Sequence, residues 1–388
     1  MTYAGDRVLL DADSHVMELP DFLAAHADPD MRDRIPPINF ASGGKLERQL
    51  AAYAAQRHHD PAVVEEQRAL GDRLLTGAKG YEAIGAFDPA ERRLALDQLG
   101  FERQFVFSTF SASVVFDAQL APDVAAAAAR AHNRAMAEFC DGEPRLIGVG
   151  ATALDDVDAA IAEVDHIASL GLGAVWVPHR APGGRSPGHD DLDRFWARVA
   201  EAGLPVLLHV GGHNLQIDPA FMNTGRPVPG DWLGGGENVR GKDMVGLHHA
   251  AELFVGTMVL DGVFERHRGL RLGVIELGAG WVPSLLRRLD QVAGIWRRSE
   301  PELAAMTRPP SQQLIEQAAF TPYPFEDVGA LVRESHPDLY LFSSDYPHIE
   351  GGRDPLGRFL TSLDGCTDDV LERFLAGNMR RLLAPAHA

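Results

Sequence analysis

The sequence predicts an α/β fold, a distorted (β/α)8 TIM barrel with a helical and loop insertion after its first strand and a helical C-terminus. Short apolar segments rich in Val, Leu, Ile and Phe alternate with helical segments along most of the chain. Such alternation is typical of parallel strands joined by crossover helices. The strand segments are apolar throughout, as expected of strands buried on both faces. A doubly wound open sheet is the competing architecture, because strand number alone separates the two poorly.

Seven strand segments are clear, and an eighth is weaker. In chain order the clear segments are residues 7–13, 104–109, 146–152, 173–178, 205–210, 271–277 and 339–345. The weaker segment, residues 318–323, would complete the eight units of a barrel. Helices are predicted within residues 121–140, 154–173 and 190–205, which contain good helix formers and end near a Gly, a Cys or a Pro.

Two regions interrupt the alternation. Residues 24–90 are polar and rich in charge, and we expect them to form a loop and then a helix over 51–70. We interpret this region as an insertion within a single domain that spans residues 1–388. Residues 211–241 are rich in Gly, Pro and Asn. A connection of this length is more often functional than idle, because compact domains rarely keep long structureless loops.

The net charge of the chain argues against some classes of binding partner. The formal net charge of −19 argues against nucleic acid, which needs a basic surface, and against an anionic membrane. It leaves open a small anionic organic substrate, because a bound cation and a local arginine reverse the field inside one pocket.

The cysteines and the apolar segments predict a cytoplasmic protein. Cys140 and Cys366 are far apart and form no CxxC pair, so neither a disulfide scaffold nor a zinc–thiolate finger is expected. The first residues lack the basic start and apolar stretch of a secretion signal. The longest apolar runs are far shorter than the roughly 20 residues of a membrane-spanning helix.

Carboxylates and imidazoles follow three of the predicted strands. The first strand ends in DADSH, the fifth in LLHV and the last in SSDYPH. Asp13 and His15 are two residues apart and therefore point to the same side of an extended strand. Since reactive side chains of parallel barrels gather at the C-terminal ends of the strands, we expect them to meet His209 and Asp345. Two carboxylates and two imidazoles suit a divalent metal such as Zn²⁺ or Mn²⁺.

Each of these residues also has an ordinary explanation when it is taken alone. His209 resembles a hydrogen-bonded core histidine, Asp345 a cap of the following turn, and the DxDxH segment a solvated turn. Their joint placement at matching strand ends favours the metal site. Asp11 shares the ligand side of the first strand but is assigned no chemistry, and Glu18, past the strand end, is a candidate for substrate binding.

Four segments together resemble the amidohydrolase-related family, which includes aminocarboxymuconate-semialdehyde decarboxylase and decarboxylases of aromatic acids. They are residues 11–20, 204–210, 271–290 and 342–351, and they follow the order of the family. The resemblance implies a distorted (β/α)8 barrel with one divalent metal ion at its C-terminal face. Zn²⁺ is the expected ion and Mn²⁺ the alternative. A homodimer is compatible with the resemblance, since relatives often form dimers.

The resemblance also implies roles for residues of this chain. Asp13, His15, His209 and Asp345 occupy the metal-ligand positions, and Asp345 is also the expected general base. Many relatives carry a histidine acid/base after the sixth strand, where this chain has VIELGAGW. Glu276 is the nearest ionisable residue and becomes the expected acid/base. The alternatives for this role are three histidines, namely His213, His248 and His249.

Arg180 follows the fourth predicted strand and is expected to hold an anionic group of the substrate. An ordinary surface arginine is the alternative interpretation. His248 is a further candidate for substrate binding.

These expectations define three hypotheses of function. The first is a metal-dependent, non-oxidative decarboxylase, a carbon–carbon lyase that acts on a small aromatic or unsaturated carboxylic acid. The second is a metal-dependent hydrolase of an amide, ester or lactone bond. The third is a metal-free binding protein, which the intact set of four predicted ligands disfavours.

Overall fold

Short parallel strands form one curved sheet in the computed structural model, which describes residues 1–40, 44–211, 219–227 and 240–384. For residues 44–48 and 219 only the main chain is described. The strands are paired in the order β1-β3-β4-β5-β6-β7-β8, and β2 also pairs with β3. They are β1 Leu10–Asp11, β2 His15–Val16, β3 Arg103–Ser108, β4 Leu146–Ala151, β5 Ala174–Trp176, β6 Val206–His209, β7 Leu272–Ile275 and β8 Ala318–Phe320.

Helices connect the strands and surround the sheet. The α-helices of the described chain are α1 Phe22–His26, α2 Gly44–Gln56, α3 Pro61–Arg68, α4 Pro89–Leu99, α5 Ala112–Val115, α6 Pro122–Cys140, α7 Val157–Ser169, α8 Asp190–Ala202, α9 Pro219–Met222, α10 Gly241–Gly246, α11 His249–Leu260, α12 Val263–Arg266, α13 Val282–Trp296, α14 Pro301–Ala305, α15 Pro310–Gln317, α16 Val328–Glu334, α17 Pro355–Ser362, α18 Asp368–Glu372 and α19 Asn378–Leu383. Short 3₁₀ helices cover Gly71–Thr76, Gly80–Glu82, Pro182–Gly184 and Pro337–Leu339, and a π-helix covers Arg373–Gly377.

Residues 340–346, the closing segment, complete the barrel between β8 and the first two strands. Isolated parallel bridges join Tyr340 to Phe320 and Tyr346 to Ser14. The prediction of a regular strand over 339–345 is therefore wrong, because this segment forms only isolated bridges. The segment nevertheless lies at the position in the barrel that the predicted strand would occupy. Its backbone departs from a strand at Asp345, whose φ is 54°. The fold is a distorted TIM barrel, as the sequence predicts, with β8 confirmed at the weaker strand segment.

Most predicted helices are confirmed, with one correction. Helices α6, α7 and α8 lie within the three predicted segments. The single helix predicted over 51–70 is wrong, because the structure divides it into α2 and α3. The Asp60 side chain accepts the N–H of Ala62 and Pro61 opens the new helix, a combination that favours a helix start over a helix interior.

Alternation along the strands separates the barrel interior from the layer beneath the helices. Phe105 and Phe107 of β3 point into the barrel and pack with Trp176, whereas Val106 belongs to the core between sheet and helices. The interior is thus filled with side chains rather than open, which is typical of this barrel. No helix of the described chain is long and apolar enough to cross a membrane.

The fold does not test two predictions about the organisation of the chain. The single domain of residues 1–388 with an insertion at 24–90 stays a prediction. The predicted loop 211–241 lies largely outside the described residues, and α9 falls within its described part.

Candidate metal centre

Six buried carboxylate and imidazole side chains of the described chain meet where the strands end, and they form two groups. Within each group one donor atom per residue lies within 4.8 Å of the others. Since His15 belongs to both groups, the residues form one continuous donor cluster. The first group is Asp13, His15, His209 and Glu276, and the second is His15, Asp345 and His348.

Strands β2 and β6 place the two histidines that the sequence analysis selected. His15 opens β2 and donates its N–H to the Tyr346 carbonyl at 2.8 Å. His209 ends β6, where it pairs in register with Ile275 of β7. Oδ1 of Asp13 lies 3.2 Å from Nε2 of each histidine. The structure therefore brings these three predicted ligands into direct contact.

Glu276 reaches the cluster because its backbone turns sharply after β7. Its φ is 55°, a left-handed conformation that a residue with a side chain rarely adopts outside functional sites. The Glu276 N–H donates to Oγ1 of Thr321 at 2.7 Å, and the Tyr323 hydroxyl donates to the Glu276 carbonyl at 2.9 Å. These bonds hold the turn, and Oε2 of Glu276 lies 3.4 Å from Nε2 of His209.

Asp345 enters from the closing segment, also with a positive φ. Its N–H donates to the Asp13 carbonyl at 2.9 Å, and its Oδ1 lies 3.5 Å from Nε2 of His15. Burial raises the pKa of Asp345 to about 6, although the His348 imidazole acts in the opposite direction. Its carboxyl thus exchanges a proton close to neutral pH.

His348 is the member of the cluster that the sequence analysis missed. It follows Asp345 by three residues in SSDYPH, and its ring stacks on that of His15 with centroids 3.9 Å apart. The Thr109 hydroxyl donates its single proton to the Val16 carbonyl at 2.9 Å. In the 3.0 Å contact between Thr109 and Nε2 of His348, the imidazole N–H is therefore the donor.

With its proton on Nε2, neutral His348 presents an unprotonated Nδ1 to Asp345. Nδ1 of His348 lies 3.0 Å from Oδ1 of Asp345. If His348 is neutral and Asp345 ionised, both atoms are acceptors, and a proton or a cation has to lie between them. The signal for His348 was its spacing from Asp345, but its approach to His15 depends on a contact across more than 300 residues of chain, so no local pattern reveals it.

The donor atoms fit a divalent metal ion. Both ring nitrogens of His15 and both carboxylate oxygens of Asp345 are buried without a well-oriented hydrogen-bond partner in the described chain. Such unpaired polar groups cost roughly 1–3 kcal/mol each, and a bound cation would satisfy them. Burial, together with the nearby His348, lowers the pKa of His15 to about 3, so its imidazole is neutral. Metal ligation requires the neutral ring.

Asp13 has the charge that a ligand carboxylate needs. Burial favours its neutral form, but the His209 and His15 imidazoles outweigh burial and hold the pKa of Asp13 below its ordinary range. Asp13 is therefore ionised, and it supplies the negative charge that offsets a cation in this buried site.

Aromatic rings form one wall of the cluster. The Phe107 ring lies 4.3 Å from the His209 ring, and the Trp176 ring lies 5.1 Å from it, centroid to centroid. Phe116 extends the wall with its ring 5.2 Å from that of Trp176. Such a wall limits access of water and offers faces on which a flat ring can pack.

Two buried N–H donors near the cluster have no acceptor among the described residues. Nζ of Lys79 and Nε1 of Trp176 have no hydrogen-bond partner in the part of the chain that the structure describes. Burial lowers the pKa of Lys79 to about 8, whereas the charges of Asp345 and Glu350 favour its protonated form. The adjacent Gly80 N–H donates to the Pro347 carbonyl at 2.8 Å and so keeps Lys79 beside the closing segment. Neither donor is among the site residues predicted from the sequence.

The predicted substrate-binding residues lie in other settings. Arg180 forms a two-pronged ion pair with Asp155, in which one Nη–Oδ1 distance is 2.7 Å. The Glu18 carboxylate is fully buried and accepts the backbone N–H groups of residues 109–111 at 2.7–3.1 Å. His248 stacks on Trp281 with ring centroids 5.8 Å apart. Their roles in substrate binding stay predictions.

The alternative acid/base residues are not part of the described cluster. His213 lies outside the described residues. His249 contacts the ring of its neighbour His248, with centroids 4.6 Å apart. These roles also stay predictions.

One curated protein resembles half of the chain. It is the decarboxylase orsB of Emericella nidulans, 27% identical over 196 residues, which are 50% of this chain and 55% of that protein. The chain therefore spans about half the length of this relative.

Solved structures match over nearly the whole chain and support the fold. The amidohydrolase map2389c of Mycobacterium avium subsp. paratuberculosis is 24% identical, with a TM-score of 0.74 over 98% of this chain and 100% of that one. The 5-carboxyvanillate decarboxylase of Novosphingobium aromaticivorans, in complex with manganese and 4-hydroxy-3-methoxy-5-nitrobenzoic acid, is 18% identical. Its TM-score is 0.63 over 98% of this chain and 97% of that one.

A family model matches most of the chain. It describes the amidohydrolase family and covers residues 57–384, which include His209, Glu276 and Asp345. Strands β3 to β8 and the closing segment all lie within this range. The chain belongs to the amidohydrolase family.

Proposed function

We propose that this protein is a metal-dependent, non-oxidative decarboxylase of a small aromatic or unsaturated carboxylic acid. The observation that carries the proposal is the donor cluster of carboxylates and imidazoles beside two buried N–H donors for which the described chain supplies no acceptor. The first feature suits a divalent cation, and the second suits the carboxylate of a substrate. The decarboxylases among its relatives and structural neighbours support the same reaction.

Asp13, His15 and His209, with Asp345 or Glu276, would hold the metal. A bound divalent ion would act as a Lewis acid on a substrate oxygen. Zn²⁺ and Mn²⁺ both accept mixed imidazole and carboxylate ligands. The three carboxylates of the cluster, and the manganese in the neighbouring decarboxylase, shift the proposal from Zn²⁺ towards Mn²⁺.

Lys79 and Trp176 are the proposed carboxylate-binding residues. Each offers a buried N–H that no acceptor of residues 1–40, 44–211, 219–227 and 240–384 satisfies, and an anionic substrate group would provide one. Arg180 is less suitable because Asp155 already occupies its guanidinium. The substrate ring would pack against the wall of Phe107, Phe116 and Trp176.

The reaction exchanges a carboxylate for a proton. The bond between the carboxylate carbon and the substrate carbon breaks, CO₂ leaves, and the electron pair remains on the substrate carbon. That carbon then takes a proton from an acid of the site. Asp345 and Glu276 are the proposed donors, and burial raises the pKa of Asp345 above its ordinary value.

The identity of the products tests the proposal. Metal-free protein is reloaded with Mn²⁺ or Zn²⁺ and incubated in D₂O with 5-carboxyvanillate and a set of hydroxybenzoic acids. We expect CO₂ release with one deuterium on the product carbon, and no release from metal-free protein or from the His209→Ala variant. Release of CO₂ that is independent of metal would contradict the proposal.

The hydrolase alternative predicts different products. Amide, ester and lactone substrates would then yield acids that carry ¹⁸O from labelled water, without release of CO₂. A protein that takes up no metal and converts neither set of substrates would support the binding-protein hypothesis instead.

A further inference from the structure

The main-chain ladder between the closing segment and the first strands is interrupted at Ser344. Main-chain hydrogen bonds join Ala12 to Phe342, Asp13 to Asp345 and His15 to Tyr346. Between them, the Ser344 N–H donates to Oδ1 of Asp11 at 2.7 Å, and the Ser344 hydroxyl donates to Oδ2 at 2.6 Å. A side chain of β1 therefore replaces a main-chain acceptor next to Asp345.

The carboxylate of Asp11 accepts on both oxygens. Oδ1 also receives the Asp13 N–H at 3.3 Å, and Oδ2 also receives Nε2 of Gln104 at 2.6 Å. Asp11 and Gln104 are fully buried. Water does not compete for these bonds, and each lost partner would leave a buried polar group unpaired.

Arg92 determines which way Gln104 points. Its guanidinium donates to Oε1 of Gln104 at 3.2 Å and also donates to the His15 carbonyl. A guanidinium has no acceptor, so Gln104 must turn its oxygen towards Arg92 and its amide N–H towards Asp11. Asp11 must in turn present an acceptor to Gln104, which a carboxylate does without conflict.

We propose that Asp11, Gln104 and Arg92, called here the positioning network, set the relative positions of the metal ligands. The network fixes Asp345 through Ser344, Asp13 through its N–H, and His15 through its carbonyl. The inference rests on the proposed metal centre and deepens it, because it assigns a function to buried residues that the centre itself does not use.

A single substitution that exchanges donor for acceptor, or acceptor for donor, on one side of the contact between Asp11 and Gln104 should weaken metal binding. In Asp11→Asn, an amide N–H faces the N–H of Gln104, and in Gln104→Glu, two carboxylates face each other. For each variant we expect about 10–100-fold weaker metal affinity, the range typical of residues that support a ligand. We expect kcat to fall more than KM rises, because misplaced ligands affect the reacting atoms most.

The combined variant Asp11→Asn/Gln104→Glu is the decisive test. It reverses the polarity of the contact without changing the total charge, so the new amide donates to the new carboxylate, which still accepts from Arg92. We expect metal affinity to return to within about threefold of wild type, a coupling that independent sites do not show. A role limited to general stability would instead lower Tm in the single variants and leave their metal affinity unchanged.

Metal affinity is measured without substrate, by competition of Mn²⁺ or Zn²⁺ against a chromophoric chelator. The EPR spectrum of bound Mn²⁺ reports separately on the symmetry of its ligands. Gln313→Glu is the matched control, because Gln313 is also fully buried but lies on α15. We expect this control to lower Tm and to leave metal affinity unchanged.

Ser344→Ala provides a smaller change that the barrel should tolerate. It removes one hydrogen bond to Asp11, and we expect metal affinity to fall by about tenfold. Wild-type affinity in Ser344→Ala and in both single variants, or a combined variant no better than the weaker single variant, would overturn the inference. Metal binding without decarboxylation would contradict only the proposed reaction, whereas a wild-type protein that binds no metal would overturn the centre and the network together.

Discussion

His209 and Asp345 reach the same donor cluster by different structural means. His209 ends the four-residue strand β6, and each residue of β6 pairs in register with a residue of β7. Asp345 lies on a segment held by isolated bridges, with a φ of 54°. A regular ladder places the first residue, whereas a main-chain hydrogen bond to Asp13 and the side-chain hydrogen bonds between neighbouring Ser344 and Asp11 place the second.

This difference indicates a division of roles. A ligand at the end of a regular strand is preorganised by the backbone and suits permanent metal binding. A carboxyl on an irregular segment, with a pKa raised to about 6 by burial, suits proton exchange as well as ligation. Substitutions at the two positions should therefore differ in their effects on metal content and on rate.

The largest effect is expected for His209→Ala. Removal of this imidazole should lower metal affinity by more than about 100-fold, beyond the range for residues that only support a ligand, and should abolish turnover. The fold should persist, as judged by circular dichroism. His267→Ala is the control, because His267 precedes β7 and so lies at the opposite end of the strand. Metal content near wild type in His209→Ala would refute the assignment.

Asp345→Asn should affect rate more than metal content. The amide keeps the shape of the side chain but cannot donate an acidic proton, so we expect kcat to fall by about 10²–10⁴-fold. Metal affinity, measured by chelator competition, should fall less than in His209→Ala. Equal losses of metal in the two variants would contradict the proposal that His209 serves mainly in metal binding and Asp345 mainly in proton exchange.

Glu276→Gln separates an acid/base from a ligand. Glu276 contacts His209 in the first donor group, yet it also occupies the position expected for the acid/base. We expect a decrease in kcat of about 10²-fold with unchanged metal content, measured by elemental analysis. Glu265→Gln, a change of the same type on α12, is the control. Loss of metal in Glu276→Gln would make this residue a ligand instead.

The smallest effect is expected for Lys79→Gln. Burial gives Lys79 a pKa of about 8, so its ammonium is present below that pH and is lost as pH rises through it. In the wild type, kcat/KM for an anionic substrate should therefore fall above about pH 8. In Lys79→Gln we expect KM to rise by about tenfold at pH 7 and this pH dependence to disappear. Lys242→Gln is the control, and an unchanged pH profile in Lys79→Gln would exclude Lys79 from substrate binding.

The same comparison explains what could be predicted from the sequence. His209 follows a continuous apolar run, and His15 follows Asp13 at strand spacing. Local patterns of this kind predict both the strand and the side chain at its end. The barrel and the convergence of Asp13, His15 and His209 follow from such patterns together with the general rule that functional groups lie at strand ends.

Features that depend on distant contacts were not predictable in this way. His348 joins the cluster only because its ring stacks on His15, and Asp11 acquires a role only because Ser344 donates to it across the chain. Glu18 is an acidic residue close to the predicted ligands, which suggests a site residue. Its carboxylate instead accepts hydrogen bonds from backbone N–H groups that follow β3. Sequence spacing carries no information about these partners.

Anomalous diffraction from crystals of the Mn²⁺-loaded protein would locate the metal ion relative to the donor cluster. We expect one strong peak at metal–ligand bonding distance from His15 and His209 and from the Asp13 carboxylate. The peak should be absent in crystals of His209→Ala prepared in the same way. A Mn²⁺-loaded wild-type crystal with no peak at these residues, or with its strong peak elsewhere, would show that the donor cluster is not the metal centre.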